Sequence, residues 1–128
     1  MKYKAVLFDF DFTLADATAG ITGSANHALK ALGFDIKSYE EIRKTVGLTL
    51  PDTFRALTGC NDELKASRFV ELFVSKADEI MTKNTELFID TKDTLIRLKT
   101  AGIKTGIVTT KLHYRIDEAL DRFELRPF

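Results

Sequence analysis

The stretch Val6-Leu7-Phe8-Asp9-Phe10-Asp11-Phe12-Thr13-Leu14 decides the fold, because an apolar run ends abruptly in two carboxylates and a hydroxyl. The segment from Lys4 to Phe8 is short and rich in β-branched and aromatic side chains, which is typical of an inner strand of a parallel sheet. Side chains in a strand alternate between faces, so we expect Asp9 and Asp11 to point the same way, roughly 6–7 Å apart. The sequence therefore predicts a strand that delivers two acidic groups to one edge of a sheet.

Two carboxylates at this spacing repel each other by about 2–3 kcal/mol at an effective dielectric constant of about 20. A bound cation relieves the repulsion, and so does a proton kept on one of the two groups. The first outcome makes Asp9 and Asp11 candidate ligands of Mg²⁺, a hard cation that takes oxygen ligands. The second outcome provides one nucleophile and one general acid. A pair of solvated carboxylates in a turn is the simpler alternative, and the preceding apolar strand makes it the less favoured one.

The run Phe8-Asp9-Phe10-Asp11-Phe12-Thr13-Leu14 resembles the first motif, Asp-x-Asp-x-Thr, of the haloacid dehalogenase-like (HAD) superfamily of phosphotransferases. The resemblance implies that Asp9 attacks a phosphoryl group and forms an aspartyl-phosphate, while Asp11 protonates the leaving oxygen and then activates water. It also implies a Mg²⁺ cofactor on the Asp9 carboxylate and the Asp11 backbone carbonyl. Members that cleave carbon–halogen bonds lack the second aspartate, so Asp11 favours a phosphatase or a phosphomutase. Phe12 stands where Gly is commoner, at a position that the family leaves permissive.

A second polar cluster follows the apolar, β-branched segment from Ile103 to Val108. The residues Thr109-Thr110-Lys111 resemble the end of the family's second motif. By that resemblance the Thr109 hydroxyl would hold a phosphoryl oxygen, and the Thr110 backbone N–H would donate to the phosphate. The family's catalytic lysine lies on a later segment, so we expect Lys111 to be a charge at the edge of the site. With Phe10, these three residues are the candidate phosphate-binding residues.

Between about Asp16 and Lys83 the sequence predicts four helices in succession and no strand. Gly33 and Gly59 are natural C-terminal stops for two of them, and Ser38 with Glu41 forms a capping box in front of another. The expected helices span residues 16–32, 39–46, 51–57 and 61–83. In place and length this insert is similar to the helical cap of phosphoglycolate phosphatase-like and β-phosphoglucomutase-like members, and most similar to the former. Such a cap closes over the site and selects the leaving group.

The second half predicts a helix capped by Asp90 or Thr91, then the strand before Thr109, then a helix over residues 112–123. Strands linked by helices imply a parallel sheet with right-handed crossovers, whose reactive crevice lies beyond the carboxyl ends of the strands. The predicted fold class is therefore α/β, an incomplete Rossmann-like parallel core with an inserted four-helix cap. We expect the core in residues 1–14 and 84–128 and the cap in residues 15–83.

The composition excludes several classes of partner. Lys and Arg number 19, as do Asp and Glu, and no long like-charge run occurs, so nothing favours nucleic acid or an anionic membrane surface. No segment approaches the roughly 18 apolar residues of a membrane span. Cys60 is the only cysteine, which predicts a reducing, cytoplasmic compartment. Asp9 interrupts the first apolar run too early for a signal peptide.

The sequence stops at Phe128, about where members of the family continue with a lysine-bearing strand and further acidic metal ligands. We therefore expect a truncated or cleaved product, or a chain completed by a partner, with little phosphatase activity of its own. A homo-oligomer would cover the exposed edge of its sheet. A phosphomutase and a non-catalytic oligomeric module are the alternatives. A response-regulator receiver also has Asp at a strand end, but its acidic pair follows the first strand without a four-helix insert.

Overall fold

The structure is a computed structural model that describes residues 2–128, and it divides into two compact units. The α/β unit contains the chain up to Ala17 and from Thr85 to Phe128, and the helical unit is Thr18–Asn84. In chain order the elements are β1 (Ala5–Phe8), β2 (Ala15–Asp16), α1 (Thr18–Ala31), α2 (Tyr39–Arg43), α3 (Leu50–Thr58), α4 (Glu63–Ile80), β3 (Glu86–Leu87), α5 (Thr91–Thr100), β4 (Lys104–Ile107) and α6 (His113–Arg122). None of the helices formed within residues 2–128 is both long and apolar enough to span a membrane.

The α/β unit contains the predicted parallel sheet. Strands β1 and β4 pair in parallel, with Ala5 opposite Lys104 and Phe8 opposite Ile107. The core of this unit forms between the loop after β1 and helix α6, where buried residues pack together with Ile107: Phe10, Ala15, Ile116 and Ala119. The predicted α/β class with a parallel sheet is confirmed.

Strand β1 has an apolar sequence typical of an inner strand, but it has a single neighbour in the described part of the chain, as expected for an incomplete sheet with an exposed edge. Within residues 2–128 it pairs with β4 alone, and the side chain of Leu7 is 68% exposed. Its cross-strand partner is Gly106, which has no side chain to pack against it. An apolar strand sequence reports the preference of the segment for burial, whereas burial itself depends on neighbours supplied by other parts of a sheet.

The strand ends at Phe8, as predicted, but the alternation of side chains expected for Asp9 and Asp11 is wrong, because both residues lie beyond the strand. The chain turns tightly instead, because the Phe10 carbonyl accepts hydrogen bonds from three consecutive backbone N–H groups, those of residues 13, 14 and 15. Phe12 adopts φ of 62°, in the left-handed region where glycine is the usual residue. Asp11 therefore lies in a turn whose shape is set by backbone hydrogen bonds.

The helical unit contains the four predicted helices. The capping box before α2 is formed, since the Ser38 hydroxyl accepts from the Glu41 N–H at 3.2 Å and the Glu41 carboxylate accepts from the Ser38 N–H at 3.0 Å. Gly59 ends α3 in the left-handed conformation, with φ of 69°. Helix α1 begins at Thr18, two residues later than expected, because residues 15–16 pair as β2 with β3 in a short antiparallel ribbon. Strands of two residues carry no periodicity, and the prediction missed them.

Two glycines let α1 approach the end of α4 closely. A Cβ on Gly20 would lie 2.7 Å from the Met81 sulfur and 3.0 Å from the Met81 Cα, while one on Gly23 would meet only the Ile80 Cδ1, at 2.9 Å. The same unit contains a row of aromatic rings, the last three of them buried, with successive centroids 5.5, 5.4 and 6.0 Å apart: Phe34, Phe54, Phe69 and Phe73. Close helix packing thus explains glycines that the helix propensity of α1 alone would disfavour.

Candidate active site

Asp9 is the first residue after β1, and one of its carboxylate oxygens is held in place. Oδ1 accepts a hydrogen bond from the Phe10 backbone N–H at 2.7 Å. The Phe10 side chain is fully buried, so the donor belongs to a rigid part of the α/β unit. Asp9 itself is exposed. A carboxylate fixed through one oxygen and open to solvent has the arrangement that a nucleophile requires.

Asp11 forms a two-point ion pair with Lys111. The Lys111 ammonium lies 3.1 Å from Oδ1 and 3.2 Å from Oδ2 of Asp11, although 100 positions separate the residues. The side chain of Lys111 is 7% exposed and that of Asp11 is 17% exposed. The sequence interpretation put Lys111 at the edge of the site, whereas its side chain is buried against the second aspartate. Charge-assisted hydrogen bonds of this kind join the loop after β1 to the loop after β4.

Thr109 belongs to the same connected group. Its hydroxyl oxygen accepts a hydrogen bond from the Lys111 backbone N–H at 3.1 Å, which leaves the hydroxyl proton for another acceptor. The Val108 N–H donates to the Phe8 carbonyl at 2.8 Å. Asp9 follows Phe8 and Thr109 follows Val108, so this hydrogen bond brings the backbones of Asp9 and Thr109 side by side. Thr110 is exposed beside them. Parallel strands therefore bring the two polar segments singled out in the sequence to one sheet edge.

A sequence profile of the family described as haloacid dehalogenase-like hydrolase matches residues 6–128. The chain belongs to this family. Pyrophosphatase PpaX of Oceanobacillus iheyensis is 33% identical over 125 residues, which are 94% of this chain and 54% of the relative. Pyrophosphatase PpaX of Bacillus cereus strain Q1 is 30% identical over 128 residues, 100% of this chain and 57% of the relative.

Solved structures agree with this assignment. A protein from Bacteroides fragilis described as a haloacid dehalogenase-like hydrolase is similar with a TM-score of 0.89 and 40% identity, over 94% of this chain and 57% of that one. A haloacid dehalogenase-like family protein from Streptococcus pneumoniae has a TM-score of 0.87 and 25% identity, over 98% and 58%. The chain thus spans a little over half the length of the curated relatives it matches.

The structure of this HAD-family chain also shows a buried contact that the sequence did not reveal. The Thr91 hydroxyl donates to the Leu14 carbonyl at 2.6 Å, across 77 positions, and both residues are buried. The sequence suggested Asp90 or Thr91 as a helix cap. Asp90 does stand at the N-cap position of α5, but it makes no side-chain cap hydrogen bond. Thr91 instead fixes the far end of the loop that carries Asp9 and Asp11.

The donor groups fit Mg²⁺ shared with a substrate. No group of three or more His, Cys, Asp or Glu side chains that could hold a metal occurs within residues 2–128. Mg²⁺ is commonly bound through one or two carboxylates together with phosphate oxygens and water, so a smaller set suffices. The open oxygen of Asp9 is a donor of the right kind, whereas both carboxylate oxygens of Asp11 contact Lys111. The family resemblance implies that Asp11 would contribute its backbone carbonyl, while its carboxylate stays paired with Lys111.

Proposed function

We propose that this chain carries the nucleophile and the acid–base residue of a Mg²⁺-dependent phosphatase. Its substrate would be a small phosphorylated metabolite, a phosphomonoester like phosphoglycolate, hydrolysed through an aspartyl-phosphate. The observation that supports this most is the joint position of exposed Asp9 and of the Asp11–Lys111–Thr109 group at the carboxyl ends of two parallel strands. The division into two units supports a core with a helical cap, residues 1–14 and 84–128 against 15–83.

The reaction has two steps in this proposal. The open carboxylate oxygen of Asp9 attacks phosphorus, and the bond from phosphorus to the leaving oxygen breaks with its electron pair on that oxygen. Asp11 enters this step protonated and gives its proton to the leaving oxygen. Water then attacks the aspartyl-phosphate, Asp11 takes a proton from it, and inorganic phosphate and free Asp9 result. The hydroxyl of Thr109 and the N–H of Thr110 donate to phosphoryl oxygens throughout. Phe10 contributes by holding Asp9 through its N–H. Mg²⁺, when bound, offsets the negative charge of the phosphate.

Two substrates are the first to compare. The family resemblance favours phosphoglycolate, and relatives named pyrophosphatase PpaX favour inorganic pyrophosphate. Both present a terminal phosphoryl group to the same nucleophile. A β-phosphoglucomutase-like activity shares Asp9 and Asp11, and the appearance of an isomerised sugar phosphate would identify it.

The test measures phosphate release from both substrates and from an aryl phosphate, with and without Mg²⁺. We expect weak release that requires Mg²⁺ and is lost in Asp9→Asn, which keeps the shape of the side chain but is not a nucleophile. Covalent labelling of the protein by phosphate should disappear in the same variant. Release that survives Asp9→Asn, or the absence of both release and labelling under all conditions, would contradict the proposal.

The open edge of β1 supports an oligomer as a further part of the proposal. Leu7 is 68% exposed and Val108, just after β4, is 63% exposed. An apolar strand with an unpaired edge is a template for association with another chain. Light scattering at several protein concentrations tests this, and a monomer at all of them would exclude it.

A further inference from the structure

We propose that Lys111 is a positioning residue for Asp11: it holds the acid–base carboxylate by both oxygens and does not serve primarily as a phosphate contact. The inference rests on the proposed phosphatase chemistry, because it concerns the group that moves the proton. It replaces the expectation, drawn from the sequence, of a phosphate-binding charge at the rim of the site.

The geometry of the pair supports this role. The ammonium contacts Oδ1 at 3.1 Å and Oδ2 at 3.2 Å, so the carboxylate cannot rotate about its terminal bond without losing a charge-assisted hydrogen bond. The backbone of Lys111 is fixed in turn, since its N–H donates to the Thr109 hydroxyl. The backbone and the ammonium of Lys111 are therefore both held by hydrogen bonds. Through them the loop after β4 orients the Asp11 carboxylate.

Burial argues against Lys111 as the main substrate contact. Its side chain is 7% exposed, less than the 17% of the carboxylate it holds, and Asp9 and Thr110 are exposed. An ammonium has three N–H donors, and the Lys111 ammonium directs hydrogen bonds to both carboxylate oxygens of Asp11. Asp11 itself makes the longest connection of the site, across 100 positions. Without Lys111, the carboxylate would depend on a turn that contains the strained Phe12 backbone.

Orientation matters because Asp11 acts on two different oxygens in succession. It gives a proton to the leaving oxygen when the phosphorus–oxygen bond breaks, and it takes one from the water that attacks the aspartyl-phosphate. Misplacement of such a group by about 1 Å can cost about 100-fold in rate. Loss of a positioning residue therefore lowers kcat, whereas loss of a residue that binds substrate and transition state equally raises KM.

The experiment combines a stability cycle with kinetics on the full chain. Thermal midpoints are measured for wild type, Lys111→Met, Asp11→Asn and the double variant, with Lys92→Met, an exposed lysine of α5, as the matched control. We expect Lys111→Met to lower the midpoint in wild type and to have no further effect in the Asp11→Asn background. Equal effects in both backgrounds would overturn the proposal, because the two side chains would then act independently.

Kinetics separates positioning from substrate binding. We expect Lys111→Met to lower kcat about 10- to 100-fold with KM changed less than about 3-fold, and Lys111→Arg to restore most of the rate because a guanidinium also pairs with both carboxylate oxygens. A raised KM with unchanged kcat would overturn the proposal in favour of a phosphate contact. Turnover that survives Asp9→Asn, or the absence of both turnover and covalent labelling in wild type, refutes the phosphatase, and the stability cycle then decides alone whether Lys111 holds Asp11.

Discussion

The two units obtain their order from different parts of the sequence. Local signals set the helix ends of the helical unit, such as the Ser38–Glu41 capping box and the glycine that ends α3. Three of its phenylalanines are buried: Phe54, Phe69 and Phe73. The α/β unit depends on contacts between residues far apart in the chain, 77 positions for Thr91 with Leu14 and 100 for Lys111 with Asp11. It also leaves Leu7 exposed. The candidate site residues therefore lie in the unit that depends more on contacts between residues far apart in the sequence.

The largest expected effect contrasts a core side chain of one unit with an apolar side chain of the other. Phe54 is fully buried between two other rings, so Phe54→Ala should lower the free energy of unfolding by about 3–5 kcal/mol. Leu7→Ala, at an exposed strand position, should stay within about 0.5 kcal/mol. Urea unfolding followed by circular dichroism measures both. A large loss for Leu7→Ala would mean that β1 is covered in solution.

The next prediction concerns the long-range contact at the end of the acidic loop. Thr91→Val removes the hydroxyl that donates to the buried Leu14 carbonyl. It should cost about 1.5 kcal/mol of unfolding free energy, because that carbonyl keeps its second hydrogen bond, from the Phe88 N–H. Thr94→Val makes the same change at an exposed position of the same helix and provides the control. Equal losses for the two variants would show that the hydroxyl contact contributes nothing.

A smaller effect is expected where α1 meets α4 in the helical unit. Gly20→Ala should lower the free energy of unfolding by about 1 kcal/mol, because overpacking against the Met81 backbone, at about 2 kcal/mol, outweighs a gain of about 1 kcal/mol in helix propensity. Gly23→Ala meets only the end of the flexible Ile80 side chain and should be neutral or stabilising. If Gly20→Ala raised the melting temperature, the close approach of the two helices would be wrong.

The smallest effect is a dependence on pH in the capping box. The Ser38 N–H and hydroxyl both donate to the Glu41 carboxylate and hold the pKa of Glu41 below its ordinary value. A carboxylate with a lowered pKa stabilises the folded state above its unfolded pKa, and this contribution is lost as the pH falls through its folded pKa. Thermal midpoints at about pH 3 to 6 should therefore fall less steeply on acidification for Glu41→Gln than for wild type. Identical slopes would contradict the capping role of the carboxylate.

The sequence predicted what depends on local patterns. Short segments were enough to predict three features. These are the helix ends near Gly33 and Gly59, the capping box, and the two strands whose ends carry the polar residues. The exposure of Leu7 did not follow from the apolar run itself, because an apolar strand has the same sequence whether or not a neighbour covers it. It agrees with the separate expectation of an incomplete sheet with an exposed edge. The short β2–β3 ribbon was missed because two residues have no period.

The sequence singled out the residues of the candidate site, but it did not indicate the contacts among them. Motif spacing singled out Asp9, Asp11 and Thr109, and the parallel register brings their segments together. The contact of Lys111 with Asp11 could not be deduced, since a lysine after a strand can extend into solvent or fold back, and only the three-dimensional path of β4 decides between these. The tight turn around the Phe10 carbonyl was likewise hidden, because Phe12 is an unusual residue for its backbone conformation.

The separation of 100 positions between Asp11 and Lys111 has a consequence for biosynthesis. At about 5–20 residues per second, a ribosome adds Lys111 about 5–20 s after Asp11. All of Thr18–Asn84 is translated in that interval, so the helical unit can complete its own folding first. During that time Asp11 has no Lys111 to pair with, so the loop after β1 acquires this ion pair only after the helical unit has been synthesised.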